Sequence, residues 1–168
     1  MALAPYTTAA LVRNALGVNV RDRSDAAIDT VTNATVMNEA MYTIGPSLPA
    51  DLAAAIAAPS PTTIQARFRD LGSMYCCYAV ALSEVKAAPL FAPKEVKDDR
   101  TAMTRIDDPF KNLRDELTTA LGYVAGRLRT VYAQAVPGAT LEPIEGAVLA
   151  TRVGLASSPA TDIVTSEG

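Results

Sequence analysis

The chain is 168 residues long, 49% apolar and 20% charged, with no histidine and two cysteines, a balance that suits one domain able to bury a core without disulfides. Its formal charge of −3 lies wholly in the last part of the sequence, where Glu142, Glu145, Asp162 and Glu167 stand against Arg152 alone. The balanced remainder argues against a dedicated nucleic-acid binder, which needs a clustered basic surface, and the missing histidine excludes Ser-His or Cys-His catalysis and Glu-x-x-His di-iron sites.

In chain order, the N-terminal MALAPYTTAALVRN lacks the basic start and long apolar run of a secretion signal. Thr7 or Thr8 caps a short leading helix carrying Leu11, Val12 and Leu16, with Gly17 placed to end it in a left-handed conformation. Ser24 and Asp25 open a longer second helix whose Ile28, Val31, Thr35 and Tyr42 recur at helical spacing. Ala27, Ala34 and Met41 widen that stripe, Asp29, Asn33 and Glu39 form the polar face, and Gly45-Pro46 is the stop. Between the prolines of 46–61, DLAAAIAA reads as one short helix bracketed by turns.

The clearest period follows. Ile64, Phe68, Leu71, Tyr75, Tyr78, Leu82 and Val85 alternate at spacings of four and three, predicting an amphipathic central helix from Thr62 to Lys86. Gly72, Ser73, Ala79 and Ala81 keep it thin enough for close packing. Residues 87–108 then form a long charged connection, longer than a structureless loop inside a compact domain usually is. Asp108 and Pro109 are placed as cap and first residue of a last helix, whose buried stripe is Phe110, Leu113, Leu117, Leu121, Val124, Leu128 and Val131, ending at Pro137-Gly138.

Beyond it, Leu141, Ile144, Val148, Leu149, Val153, Leu155, Ile163 and Val164 come in short apolar groups separated by Gly146, Gly154 and Pro159. They suit extended segments better than a helix. The expectation is therefore an all-α bundle of four to five helices over residues 1–136, with a long inter-helix loop, and an extended C-terminal arm over 137–168. That arm is too apolar for a solvated linker and finds its order on another subunit.

Candidate chemistry is sparse. Asp98-Asp99, Asp107-Asp108 and Asp115-Glu116 could chelate a cation or act as acid and base, but a cap, a solvated helix face and interleaved cations account for them. Cys76 and Cys77 stand roughly 100° apart on a helix, which strains a bridge between them; they read as apolar filler in a reduced, cytoplasmic setting. Tyr42, Tyr75, Tyr78, Tyr123 and Tyr132 lack the clustered arginines of a base-stacking platform and read mainly as core. Gly122-x-x-x-Gly126 lies inside the last helix, where it either lets a second helix approach or only lowers helix propensity slightly. The apolar run 74–82 is too short to span a bilayer. No catalytic residue, metal ligand or cofactor is expected. Lys94, Lys97, Arg100 and Arg105 in the charged loop contact a partner, line a channel, or form a solvated excursion.

Taken together, the leading helix, the SDAAIDTVTNATVMNEAMYTIG helix, the Pro/Leu-rich turn, the RFRDLGSMYCCYAVALSEV helix, the charged excursion and the DDPFKNLRDELTTALGYVAGRL helix followed by an arm resemble the head–tail connector (adaptor) proteins of tailed bacteriophages. The likeness covers residues 3–128. It implies a small helical protein assembled in the host cytoplasm into a homo-oligomeric ring, twelve copies in that family, at the neck of the virion beneath the portal protein. DNA would pass through the ring, and a further tail or neck component would lie below. It also implies that the arm docks on the portal through Leu141, Ile144, Val148, Leu149, Arg152 and Val153, with Lys94, Lys97, Arg100 and Arg105 facing the channel or the tail. The alternative is a cytosolic helical-bundle interaction or regulatory protein with a disordered tail.

Overall fold

The computed structural model describes residues 3–87 and 110–143, with the backbone alone of two short strands at 95–98 and 101–104. The body is all-helical, with six helices among the described residues. Helix α1 (Ala9–Leu16) begins at Thr8, whose hydroxyl accepts the Leu11 N–H, and ends at Gly17 with φ 68°, whose own N–H returns to the Arg13 and Asn14 carbonyls. Both ends fall where the sequence puts them.

The expected second helix is instead two. A single turn, α2 (Asp25–Ile28), is capped by Ser24, and α3 (Val31–Tyr42) starts afresh at Thr30, whose hydroxyl accepts the Asn33 N–H. Side chains supply the break. Asn33 Nδ2 donates to the Ile28 carbonyl at 2.8 Å, and Asp29 Oδ1 accepts the Leu3 N–H at 3.0 Å, so polar side chains compete with the helical ladder. The break also resets the helical phase. Val31 and Tyr42 are 70% and 49% exposed and Thr35 faces solvent, while Asn33, Ala34, Met37 and Met41 are buried. The expected apolar stripe is thus corrected by a rotation of the helix, and Asn33, expected on the polar face, lies inside.

Helix α4 (Leu48–Ala57) has proline in its first turn and buries Leu48, Leu52 and Ala55. Helix α5 (Thr63–Ala87) is the centre of the molecule and packs against α1, α3, α4 and α6. Its buried surface includes Phe68, Leu71, Tyr75, Leu82 and Val85 as expected, and extends to Cys76, Cys77, Ala79, Val80 and Ala81; Ile64, at the first turn, is exposed. Gly72 allows α4 to approach, since a Cβ there would lie 2.5 Å from Leu52 Cδ1.

Within the charged excursion, β1 (Glu95–Asp98) and β2 (Thr101–Thr104) pair antiparallel, with Glu95 opposite Thr104 and Asp98 opposite Thr101. A two-stranded ribbon needs no continuous apolar run, which is why the segment reads as a plain charged loop. Helix α6 (Lys111–Ala135) starts after the expected Asp108-Pro109, with Phe110 at its N-cap and no side-chain cap. It buries Leu117, Val124, Leu128, Val131 and Tyr132. Helices α5 and α6 run antiparallel, since Phe68 stacks on Tyr132 near one end and Val85 shares a cleft with Phe110 and Leu113 at the other. At 1.5 Å per residue each is about 37 Å long.

Candidate interaction surfaces

The two ends of the α5–α6 pair are built differently. At the end where α6 stops, the Phe68 and Tyr132 rings lie 5.2 Å apart and nearly parallel, and the Tyr132 hydroxyl donates to Asp51 Oδ2 at 2.5 Å. Burial, then the hydrogen bond to Asp51, pushes the Tyr132 phenol above its ordinary range. The chain past α6 folds back over this end. The Glu142 N–H donates to the Ile44 carbonyl at 3.0 Å, and Arg129 donates to the carbonyls of Ile44 and Glu142. Thr140 O passes so close to Gly45 that a Cβ there would lie 2.5 Å from it. Ala139 and Leu141 pack on the core.

The start of the expected arm is therefore a strap on the protein's own body. Leu141, which sequence reasoning assigns to a partner, is half-buried against that body. The remaining arm residues singled out for binding, Ile144, Val148, Leu149, Arg152 and Val153, lie outside the described residues, as do Lys94, Arg100 and Arg105 of the excursion. Lys97 falls in β1, where only the backbone is described.

At the opposite end, where the excursion leaves α5 and returns to α6, Leu16, Val18, Val85, Ala87, Phe110 and Leu113 line a cleft of about 280 Å³. One edge is polar. Glu84 Oε2 receives the Arg23 guanidinium at 2.7 Å from Nε and 2.5 Å from Nη2, while its Oε1 accepts from Asn33 Nδ2 at 2.6 Å. The Glu84 side chain is only 10% exposed, and its carboxylate is satisfied on both oxygens. Sequence reasoning missed this tie. Its partners lie 51 and 61 residues apart in the chain, and its only local signal is Asn33, a polar residue in phase with the buried Met37 and Met41. The cleft falls just below the size range of small-molecule sites and is mainly apolar, which suits one or two side chains of a protein partner.

Among the chemical candidates, the two thiols and Tyr75 are packed in the core. Cys76 and Cys77 are both buried free thiols. Burial pushes Cys76 up to about 12 and Cys77 up to about 11, so neither is a nucleophile near neutrality. Beside Cys77, the buried Thr7 hydroxyl has no hydrogen bond of ordinary geometry. Tyr75 is buried and donates to the Ala40 carbonyl at 2.9 Å; Tyr78 is half-buried against the core. Tyr42 and Tyr123 are exposed, contrary to a core role, and the Arg127 guanidinium lies 5.6 Å from the centre of the Tyr123 ring. Asp115 and Glu116 are exposed on α6; Asp98 is described by backbone only, and Asp99, Asp107 and Asp108 lie outside the described residues. Among the described residues no group of three or more potential metal ligands comes together, and no helix is long and apolar enough to cross a membrane. Gly122 and Gly126 meet no other part of the described fold.

No protein-family model, no curated protein and no solved structure matches the chain.

Proposed function

We propose that the protein is a structural connector of a tailed phage: a non-catalytic adaptor that forms a ring beneath the portal, joins capsid to tail and leaves a channel for DNA. One observation carries this reading. The two segments suited to meeting partners leave opposite ends of a stiff antiparallel helix pair about 37 Å long. The charged excursion leaves beside the apolar cleft of Phe110 and Val85, and the chain beyond Pro143 leaves beside the strap. A body with a separate attachment at each end can bridge two different components. The balanced charge of residues 1–135 suits a channel through which DNA slides without being gripped. Twelve copies, the portal as the arm's partner, a tail or neck component at the other end and a place in the virion neck follow from the resemblance to phage connectors.

The test is mass by light scattering of the full chain, alone and mixed with the portal protein from the same genome. The proposal expects a ring or a stoichiometric complex that is lost when 144–168 are removed. The cut belongs after Pro143, since Ala139, Leu141 and Glu142 are fastened to the body. A monomer indifferent to the portal would overturn it.

A further inference from the structure

A second groove, of about 170 Å³, runs along α4 from Asp51 in its first turn, past Ala54 and Ala55, to Ala58 beyond its last. Its far wall is Phe68, Gln65 and the end of α6 at Val136. Asp51 stands where a helix start favours a carboxylate, yet it is not spent on capping: α4 has no side-chain cap bond at its start, and Asp51 Oδ2 takes the Tyr132 hydroxyl instead. Tyr132 is fully buried and stacked on Phe68, so the carboxylate is held by a rigid phenol. No basic side chain among the described residues pairs with it. The last turns of α4 and α6 also carry no basic residue, leaving their carbonyl ends without a cation. The start of α5 at Thr63 partly offsets this, but Gln65 Oε1 is already engaged by the Thr62 N–H.

A fixed carboxylate at one end of an alanine-floored groove has the shape and charge of a receptor for a long cationic side chain. The methylene stem lies over the alanine methyls and the planar head meets the carboxylate. We propose that this groove binds an alkylguanidinium, and that its occupant is Arg152 of the chain's own C-terminal segment. Arg152 is the sole basic residue after Arg129, and Leu149, Val153 and Leu155 flank it with apolar surface. The described chain ends at the right place: Glu142 is hydrogen-bonded to Ile44, one short turn before α4 begins. From Pro143 the intervening stretch spans about 30 Å when extended, ample to bring Arg152 to Asp51, and the tether gives a high effective concentration. The inference concerns the isolated chain and stands or falls apart from the connector reading.

Trypsin reads it directly, because cutting Arg152–Val153 requires the Arg152 side chain to enter the protease. Full-length protein is digested briefly, and the rate of that cut is compared in wild type, Asp51→Asn and Ala54→Leu, with cuts in 94–105 as internal reference. Asp51→Asn keeps an acceptor for Tyr132 while removing the charge. Ala54→Leu fills the groove from an exposed position and leaves Asp51 alone, so it serves even if Asp51→Asn impairs folding by circular dichroism. Both variants are expected to speed the Arg152 cut by about tenfold, the effect of one lost charge-assisted hydrogen bond, with the reference cuts unchanged. Equal rates in all three proteins would overturn the site. Protection that fades on dilution of wild type would overturn the assignment to the same chain and place a second copy's segment in the groove.

Discussion

The two ends of the α5–α6 pair are made of similar apolar residues and differ in what is laid across them. At one end α4 and the 137–143 strap close over the stacked Phe68 and Tyr132, and Gly72 lets Leu52 seat against the α5 backbone. At the other, the described residues that approach are the end of α1, the turn after it, Arg23 and the start of α3 at Asn33. Leu16, Val18 and Leu113 stay half-exposed there, Phe110 is 39% exposed, and the polar tie of Arg23, Glu84 and Asn33 holds the elements together. Among the described residues, one end is held mainly by packing, the other by hydrogen bonds beside an apolar cleft.

The largest effect that can break this contrast is Tyr132→Ala. It removes a fully buried ring from the stack and strands Asp51, and truncations of large buried aromatics cost about 3–5 kcal/mol. Urea unfolding followed by circular dichroism should show a loss of that size. Tyr132→Phe, which keeps the ring and loses only the hydroxyl, should cost about 1 kcal/mol. A loss below about 1 kcal/mol for Tyr132→Ala would mean that the closed end is not the anchor.

Alkali sharpens the contrast next. Burial raises Tyr75, Cys76 and Cys77, and raises Tyr132 with help from Asp51; these four lie in the body and at its closed end, away from the open cleft. Each binds its proton more tightly when folded, so the folded chain holds more protons than the unfolded one once pH exceeds the unfolded thiol value of 9.0. Stability is then full below pH 9 and falls as pH rises from there through about 11 and 12, the direction linkage requires for raised acids. Thiol labelling during an alkaline titration checks this. Both cysteines should stay unreactive in the native protein at pH 8 and react together as helical signal is lost. Fast labelling of either thiol in the fully helical protein would show that burial does not govern it.

Helices α5 and α6 were legible in the sequence because each keeps one helical phase over 25 residues, so counting threes and fours finds most of the buried stripe, while Ile64 and Phe110, expected in it at the two helix starts, are exposed. The second helix was legible as a helix but not as a face. Extrapolating its phase through Asp29 and Thr30 put Val31 and Tyr42 inside, whereas hydrogen bonds from Leu3 and Asn33, formed only in the folded chain, stop α2 and restart the count. The strap shows the same limit. Leu141 stands outside any helical stripe and so read as a partner's residue; it is half-buried on the protein's own core, and its neighbour Glu142 is tied to Arg129 and Ile44, contacts no local pattern announces. Tyr132 read as core and is buried, but its pairing with Asp51, 81 residues away, had no signature beyond an acidic residue in the first turn of an alanine-rich helix.

The smallest expected effect tests whether the open end is open for a reason. Phe110 covers the first turn of α6 without capping it, since no side-chain hydrogen bond is made there, and its ring lines the cleft. A large aromatic placed for stability would be buried, and its loss would cost several kcal/mol, as for Tyr132. Phe110→Ala should instead change stability by less than about 1 kcal/mol, because much of the ring already faces solvent. If the cleft receives a partner's side chain, the same substitution should weaken assembly by about tenfold or more, the usual weight of a central aromatic anchor, with the urea midpoint almost unmoved. The decisive quantity is the difference between the two measurements. A variant that loses assembly and stability in parallel would make Phe110 a piece of core, and the two ends of the bundle would then differ only in degree.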